Sequence, residues 1–145
     1  MTVKPVPDGY GTVTPYLLTT DADRVLEFAK KAFGAVETER HNDEKGRVQH
    51  AAMRIGDSMI MLGQANDKYP AMPSMLHLYV PDVDAVYAKA VSAGGKSLRE
   101  PTNEFYGDRS SGVEDPAGNQ WWIATHVEDV PSEEVERRAK AAGRS

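Results

Sequence analysis

The chain has 145 residues, of which 40% are hydrophobic and 27% charged, a balance typical of one globular domain with a sizeable core. Its formal net charge of -5 argues against nucleic acid or an anionic membrane as the main partner. The absence of cysteine excludes disulfides, a thiolate nucleophile and a cysteine-bound metal. No apolar run approaches the roughly 20 residues that span a bilayer, and the first residues lack a signal-peptide pattern, so we expect a cytoplasmic protein.

The first half of the chain predicts a strand, a helix and three further strands. Residues 12–19, after a Pro- and Gly-rich arm, are rich in strand-forming side chains. Asp21 is suited to cap a helix whose apolar residues recur at helical spacing, and Gly34 is suited to end it. Three strands are then predicted at residues 36–40, 47–55 and 58–63.

The second half repeats this order. Residues 75–80 predict a strand, and Asp82 predicts the cap of a second helix that ends at Gly94 and Gly95. A last helix, capped by Ser132, is expected to be peripheral. Between these helices the predicted elements are strands at 96–99, 110–114 and 119–126, a longer loop at 100–109 and a tight turn at 115–118.

A constant shift of 61 positions relates the two halves. Without any gap it aligns seven identical residues, including Leu17 with Leu78 and Asp21 with Asp82. Repeated identities at one offset indicate a duplicated module. We therefore predict one domain over residues 1–145, with modules at about 12–64 and 75–126 and a C-terminal helix at about 132–141.

Strand alternation sorts the side chains of both modules into two faces. One face is apolar and is expected to pack on the helices; it comprises Val13, Pro15, Leu17, Ala51, Met53, Ile55, Ile60, Leu62, Leu76, Leu78, Val80, Trp121 and Ile123. The other comprises Thr12, Thr14, Tyr16, His50, Ala52, Arg54, Met59, Met61, Met75, His77, Tyr79, Gln120, Trp122 and Ala124. This mixture of Met, aromatic, His and Arg side chains is expected to pack on a second subunit or to enclose a small molecule.

Five motifs carry a family resemblance: Thr14-Pro15-Tyr16-Leu17, Phe28-Ala29-Lys30-Lys31-Ala32-Phe33-Gly34-Ala35, Arg54-Ile55-Gly56-Asp57-Ser58, Phe105-Tyr106-Gly107-Asp108-Arg109 and Asp115-Pro116-Ala117-Gly118-Asn119. In this order and spacing the chain resembles the vicinal oxygen chelate superfamily, which includes glyoxalases, bleomycin-resistance proteins and extradiol dioxygenases. The resemblance is closest to the PhnB-like subgroup. It implies an α+β fold in which two βαβββ modules form a curved mixed sheet, or cup, and it implies a homodimer.

The resemblance also implies four metal-ligand positions, which in this sequence are Thr14, Met61, Met75 and Trp122. None of them is His or Glu, and two thioethers with an indole do not replace imidazole or carboxylate ligands on a divalent metal. We therefore expect no metal at these positions and no cofactor. A different metal site could be built on His50 and His77. It is a poor candidate, because no carboxylate lies at a fitting position.

The mixed face is the candidate ligand-binding site. Its predicted contacts are Tyr16, His50, Arg54, Met59, Met61, Met75, His77, Tyr79 and Trp122. His77 fits either a ligand contact or general base in the cup, or a structural histidine. His50 and Arg54 share one strand, where they fit recognition of an anionic or carbonyl group, or a surface pair.

The loop at 100–109 has two readings. It fits a lid at the rim of the cup, or a turn that an Asp108–Arg109 network holds, with Tyr106 beside them. His41 and His126 lie near strand ends and receive no predicted role.

Two functions stay open from the sequence, and a purely structural or interaction role is a third, less favoured one. The first is metal-free binding of a partly apolar or aromatic small molecule in the cup. The second is a glyoxalase- or dioxygenase-like enzyme that uses His50 or His77 as its base. Whether the two modules pair within one chain or by swapping between chains also stays open.

Overall fold

The computed structural model describes residues 2–143. The predicted domain also includes Met1, Arg144 and Ser145, and these three lie outside the described residues. Two βαβββ modules follow each other along the chain, and a third helix follows them. The elements are β1 (Tyr16–Thr19), α1 (Ala22–Phe33), β2 (Val36–Asn42), β3 (Val48–Ile55), β4 (Ser58–Gln64), β5 (Met75–Tyr79), α2 (Val83–Ser92), β6 (Lys96–Asn103), β7 (Asp108–Glu114), β8 (Gln120–His126) and α3 (Ser132–Ala141).

The strands form two four-stranded mixed sheets, ordered β1-β4-β3-β2 and β5-β8-β7-β6. In each sheet the first strand of the module pairs in parallel with its last strand, and the other pairs are antiparallel. The predicted α+β fold of two βαβββ modules is therefore confirmed. Outside these ladders, one isolated bridge joins Leu18 of β1 to Met72, in the segment between the modules.

The strand register preserves the 61-residue shift. Tyr16 lies opposite Met61 where β1 pairs with β4, and His77 lies opposite Trp122 where β5 pairs with β8. Adding 61 to the first pair gives the second, so the duplication seen in the sequence is also a duplication of strand pairing.

Both module helices begin where the sequence predicted. The Asp21 carboxylate accepts a hydrogen bond from the Arg24 backbone N–H, and the Asp82 carboxylate accepts one from the Ala85 N–H, both at 3.2 Å. Gly34 ends α1 with φ 67°, a left-handed conformation that glycine adopts without strain. Equivalent caps thus set the start of each helix relative to the strand before it.

An aromatic cluster joins the two modules through their helix-facing sides. Phe28 and Phe33 of α1 lie beside Trp121 of β8, with ring centroids 6.5 and 4.9 Å from the indole. Trp121 is fully buried and Phe28 is 2% exposed. This contact and the packing of α1 on α2 hold the modules of one chain together.

Three sequence predictions were wrong in their local detail. The strand β1 begins at Tyr16, so Val13 and Pro15 precede it, and both are exposed rather than packed on a helix. Strand β6 continues to Asn103, which shortens the predicted loop at 100–109. The last helix has Pro131 at its N-cap position, without a side-chain cap, and Ser132 is its first residue.

No helix among residues 2–143 is both long enough and apolar enough to cross a bilayer.

Candidate functional site

An aromatic and imidazole cluster lies on the face of the first sheet opposite α1. The hydroxyl oxygen of Tyr16 lies 3.1 Å from His50 Nδ1, and the two ring centroids are 5.7 Å apart. Gly63 is the cross-strand partner of His50, and a Cβ added there would lie 2.6 Å from the Tyr16 oxygen. The Tyr16 ring therefore lies directly over the Gly63 backbone and depends on the missing side chain.

Strand β2 adds a second imidazole to this cluster. His41 is the cross-strand partner of His50, and their ring centroids are 6.0 Å apart at a tilt of 32°. His41 Nε2 lies 2.8 Å from a carboxylate oxygen of Glu39. The pairing of β2 with β3 is irregular between His41 and Asn42, where the register shifts.

The segment between the modules completes an open cavity of about 320 Å³ beside this cluster. The Asn66 side-chain oxygen accepts hydrogen bonds from the backbone N–H groups of Lys68 and Tyr69, which fixes the turn that presents the Tyr69 ring. Gln64 accepts from the Ala22 N–H and donates to the Thr20 carbonyl, so its amide is committed to structure. The cavity is lined by Tyr16, Leu18, His41, Gln49, His50, Gly63, Gln64, Asn66 and Tyr69.

A separate aromatic group lies on the second sheet. The rings of His77 and Tyr79 have centroids 4.8 Å apart, and Tyr79 is 65% exposed. Trp122, the cross-strand partner of His77, donates its indole N–H to the Gln120 side chain. A Cβ added at Gly112 would lie 2.7 Å from the Trp122 ring, so this ring also lies over a glycine.

The nine predicted ligand contacts are thus divided between the two sheets. Tyr16 and His50 line the cavity. Arg54, Met59 and Met61 lie on the same sheet but outside the cavity lining, and Met59 is buried. The remaining four, Met75, His77, Tyr79 and Trp122, belong to the second sheet. Within residues 2–143 no hydrogen bond or ring contact joins the two groups.

Seven cavity residues are not among the predicted contacts: Leu18, His41, Gln49, Gly63, Gln64, Asn66 and Tyr69. The strand irregularity brings His41 opposite His50, and the segment after β4 folds back so that Met72 bridges Leu18. The local signal for this fold-back is the spacing of Asn66 and Tyr69, which suits an Asx turn.

The four positions that correspond to metal ligands do not fit a divalent metal. Thr14, Met61, Met75 and Trp122 supply a hydroxyl, two thioethers and an indole, and the indole N–H is a donor that Gln120 already occupies. In the part of the chain that the structure describes, no three His, Asp or Glu side chains form a metal-binding group. No chemistry through a metal follows from these positions.

A second cavity, of about 340 Å³, lies by the C-terminal parts of α1 and α2. It is lined by Lys31, Ala88, Lys89, Ser92 and Ala93. It contains no aromatic ring, no histidine and none of the predicted contacts, so the cavity beside Tyr16 and His50 is the candidate site.

Asp108 belongs to a network different from the one predicted. It lies in β7 rather than in a loop, and its buried carboxylate accepts a hydrogen bond from the Tyr79 hydroxyl at 2.8 Å and pairs with His126 Nδ1 at 2.8 Å. His126 Nε2 lies 2.7 Å from Asp129. Arg109 instead bonds Asp84 on α2. The predicted Asp108–Arg109 network is therefore wrong, and His126 has a structural role that the sequence did not indicate.

The position of His126 between two carboxylates predicts a pH-dependent contribution to stability. The hydrogen bond to Asp108, and next the one to Asp129, raise the pKa of His126 above its ordinary value of 6.5, because both favour the imidazolium. Because folding raises the pKa of His126, the protonated imidazole stabilises the folded state. This contribution is complete below the pKa of His126 in the unfolded chain, and it is lost as pH rises through the pKa in the folded chain. His126→Gln should therefore cost most stability below about pH 6.5 and progressively less above it.

Urea unfolding of the wild type and His126→Gln across this pH range measures the effect. His77→Gln is the matched control, because His77 has no carboxylate partner among the described residues. A stability difference that grows as pH rises would contradict the assignment.

Two βαβββ modules, each with a mixed sheet that presents polar and aromatic side chains on one face, define a small α+β fold. The chain belongs to the Glyoxalase/Bleomycin resistance protein/Dioxygenase superfamily, whose family model matches residues 10–123.

Known proteins resemble the chain over most of its length. An uncharacterized protein of Mycobacterium bovis is 32% identical, over 90% of this chain and 93% of its own. The crystal structure of TioX from Micromonospora sp. ML1 aligns with a TM-score of 0.70 at 22% identity, covering 81% of this chain and 100% of that one. A glyoxalase-related enzyme from Fulvimarina pelagi aligns with a TM-score of 0.65 at 20% identity, covering 79% and 87%. At these identities the structural matches show a shared fold.

Proposed function

We propose that the chain binds a small, partly apolar or aromatic molecule in the cavity beside Tyr16 and His50. The observation that carries this proposal is the gathering of two phenol rings, Tyr16 and Tyr69, with two imidazoles around one open volume of about 320 Å³. This volume lies at the lower end of the range typical of small-molecule sites.

We also infer membership of the PhnB-like subgroup from the five motifs.

The proposal includes no metal at the positions of the family's ligands. The donor set of Thr14, Met61, Met75 and Trp122 supports this, because it offers neither imidazole nor carboxylate. Elemental analysis of the purified protein should find no stoichiometric zinc, nickel, manganese or iron. One equivalent of any of these metals per chain would contradict the proposal, and the histidines would then be the side chains to test as its ligands.

Binding is tested with aromatic fragments observed by NMR, on the wild type and on Tyr69→Ala. A stacked aromatic contact adds about 0.5–1.5 kcal/mol beyond the burial of its area. Removing the Tyr69 ring loses this stacking contact and also exposes part of the bound ligand to water. The two losses together should weaken fragment binding about tenfold or more. Tyr79→Ala on the second sheet is the matched control, and equal losses in both variants would argue against this cavity.

One observation supports an enzyme as the second candidate. His50 lines the cavity, and its Nδ1 lies next to the Tyr16 hydroxyl, while its Nε2 has no partner among residues 2–143. A histidine held in this way is suited to transfer protons to and from a bound molecule. Chromatography of fragments incubated with the protein would reveal a product that His50→Gln fails to form. His77 is the weaker candidate base because it lies outside the cavity.

We further propose a homodimer, supported by the apolar side chains that one chain leaves exposed. Met72, Met75 and Tyr79 are 64%, 68% and 65% exposed, and β1 and β5 are edge strands. Exposed patches of this kind mark interaction surfaces. Light scattering at micromolar concentration should give twice the mass of one chain, and Met75→Lys should shift the protein toward monomer. A monomer in the wild type would contradict the proposal.

A further inference from the structure

Only some polar groups in the cavity are free to meet a ligand. The Gln64 amide is committed to Ala22 and Thr20, and the Asn66 oxygen is committed to its turn. His50 uses Nδ1 with Tyr16, and His41 uses Nε2 with Glu39. In the described part of the chain the Gln49 amide, the Asn66 side-chain N–H groups and the Tyr69 hydroxyl have no hydrogen-bond partner, and neither do two ring nitrogens, His41 Nδ1 and His50 Nε2. These two nitrogens come from directly opposed positions on β2 and β3.

The partners of the two rings define what each free nitrogen can do. A carboxylate only accepts hydrogen bonds, so His41 donates to Glu39 through Nε2–H, and Nδ1 of the neutral ring is an acceptor. When the Tyr16 hydroxyl donates to His50 Nδ1, the proton of that ring lies on Nε2, which becomes a donor. In this tautomer of His50 the cavity offers one acceptor and one donor on adjacent imidazoles.

A single hydroxyl group matches both nitrogens. Its proton is donated to His41 Nδ1, and its oxygen accepts from His50 Nε2–H. The ring centroids of the two histidines are 6.0 Å apart, which allows one oxygen atom to reach a nitrogen of each ring at ordinary hydrogen-bond distances. An ether oxygen or a carboxylate lacks the donor that His41 requires.

The rest of the lining favours an uncharged aromatic ring. Tyr16, Leu18 and Tyr69 supply ring faces and an apolar side chain to the lining. Among the described residues, no Lys, Arg, Asp or Glu lines the cavity. Two charged groups of opposite sign contact the lining: Glu39 at His41, and Lys68, whose ammonium lies 5.4 Å from the Tyr69 centroid. A ligand with a fixed charge therefore finds no counter-charge among the described residues that form the lining itself.

We propose that this cavity recognises a phenolic hydroxyl, with His41 and His50 as its hydrogen-bonding partners and Tyr16 and Tyr69 as its walls. This inference rests on the proposed binding function of the same cavity and names the chemical class of its ligand.

Three naphthalenes that share one ring system test the proposal: 2-naphthol, its methyl ether 2-methoxynaphthalene, and the anion 2-naphthoate. Equilibrium dialysis against the full chain, with fluorescence detection, gives each affinity. We expect 2-naphthol to bind about fivefold to tenfold more tightly than the methyl ether, because only the hydroxyl can donate to His41. We expect 2-naphthoate to bind more weakly than 2-naphthol, because it also lacks a donor.

His41→Phe provides the decisive variant, since it keeps an aromatic ring and removes both ring nitrogens. It should lower the ratio of 2-naphthol to methyl-ether affinity to about one while leaving the methyl ether unaffected. His77→Phe, the same substitution on the second sheet, should keep the wild-type ratio. A wild-type ratio near one, or a ratio unchanged in His41→Phe, would overturn the proposal.

The outcomes separate this proposal from the binding function beneath it. If all three naphthalenes bind equally and Tyr69→Ala weakens all of them, the cavity binds aromatic molecules but does not recognise a hydroxyl. If none of them binds at millimolar concentration, the proposed binding function of the cavity fails, and the phenol proposal fails with it.

Discussion

Asp115→Ala is expected to destabilise the folded chain by about 3–5 kcal/mol, because it leaves several buried donors without an acceptor. The Asp115 carboxylate is 4% exposed and accepts four hydrogen bonds. They come from the backbone N–H groups of Ala117 and Asn119, the Asn119 side chain and the indole of Trp121. Asn119 in turn accepts from the Ser74 N–H, so one buried carboxylate fixes the β7–β8 turn and the entry to β5.

Urea unfolding of Asp115→Ala measures this loss. The matched control is Asp57→Ala in the corresponding turn of the first module, where the exposed carboxylate accepts, among the described residues, only from the Ser58 hydroxyl. That control should change the free energy of unfolding by less than about 0.5 kcal/mol. Equal effects of the two substitutions would show that the buried network does not stabilise the second module.

Phe28→Ala is expected to cost about 3–5 kcal/mol, the range observed when a buried aromatic ring is removed. The ring is 2% exposed and contacts Phe33 edge-on, with centroids 5.7 Å apart. On its other sides it approaches Trp121 and Gly95, where an added Cβ would lie 3.1 Å from the ring. Because the ring is closely packed on several sides, the neighbouring side chains have little freedom to fill the void that Phe28→Ala leaves.

Thermal and urea unfolding of Phe28→Ala should remain cooperative with a large loss of stability. Tyr69→Ala is the control, because it removes a ring of similar size that is 53% exposed. The control should have a small effect on stability. A small effect of Phe28→Ala as well would mean that the modules are held together elsewhere.

The sequence was sufficient to predict the module architecture because local signals and duplication agree. The caps at Asp21 and Asp82 and the alternation in β3, β4 and β8 follow from residue types at fixed spacing. It was not sufficient at β6, where a loop was predicted from residue 100 onward and the strand continues to Asn103. β6 is an edge strand with a register irregularity between Arg99 and Thr102, and such a strand tolerates proline.

The candidate site was less predictable than the fold, because it depends on contacts between distant segments. Alternation correctly indicates that Tyr16 and His50 share a face. It does not show that the register shift brings His41 opposite His50, or that Tyr69 folds back beside them. The division of the mixed face into two sheets also has no local signal, since the same pattern serves one curved sheet or two.

The most direct test of the account follows the imidazole signals of the protein during titration with 2-naphthol. The chain has four histidines, so a ¹H–¹³C spectrum of the ring carbons has four sets of signals to assign. The signals of His41 and His50 should shift with a single saturable affinity, while those of His77 and His126 remain in place. Saturable shifts confined to His77, with none at His41 and His50, would contradict the assignment of the binding site to the first sheet.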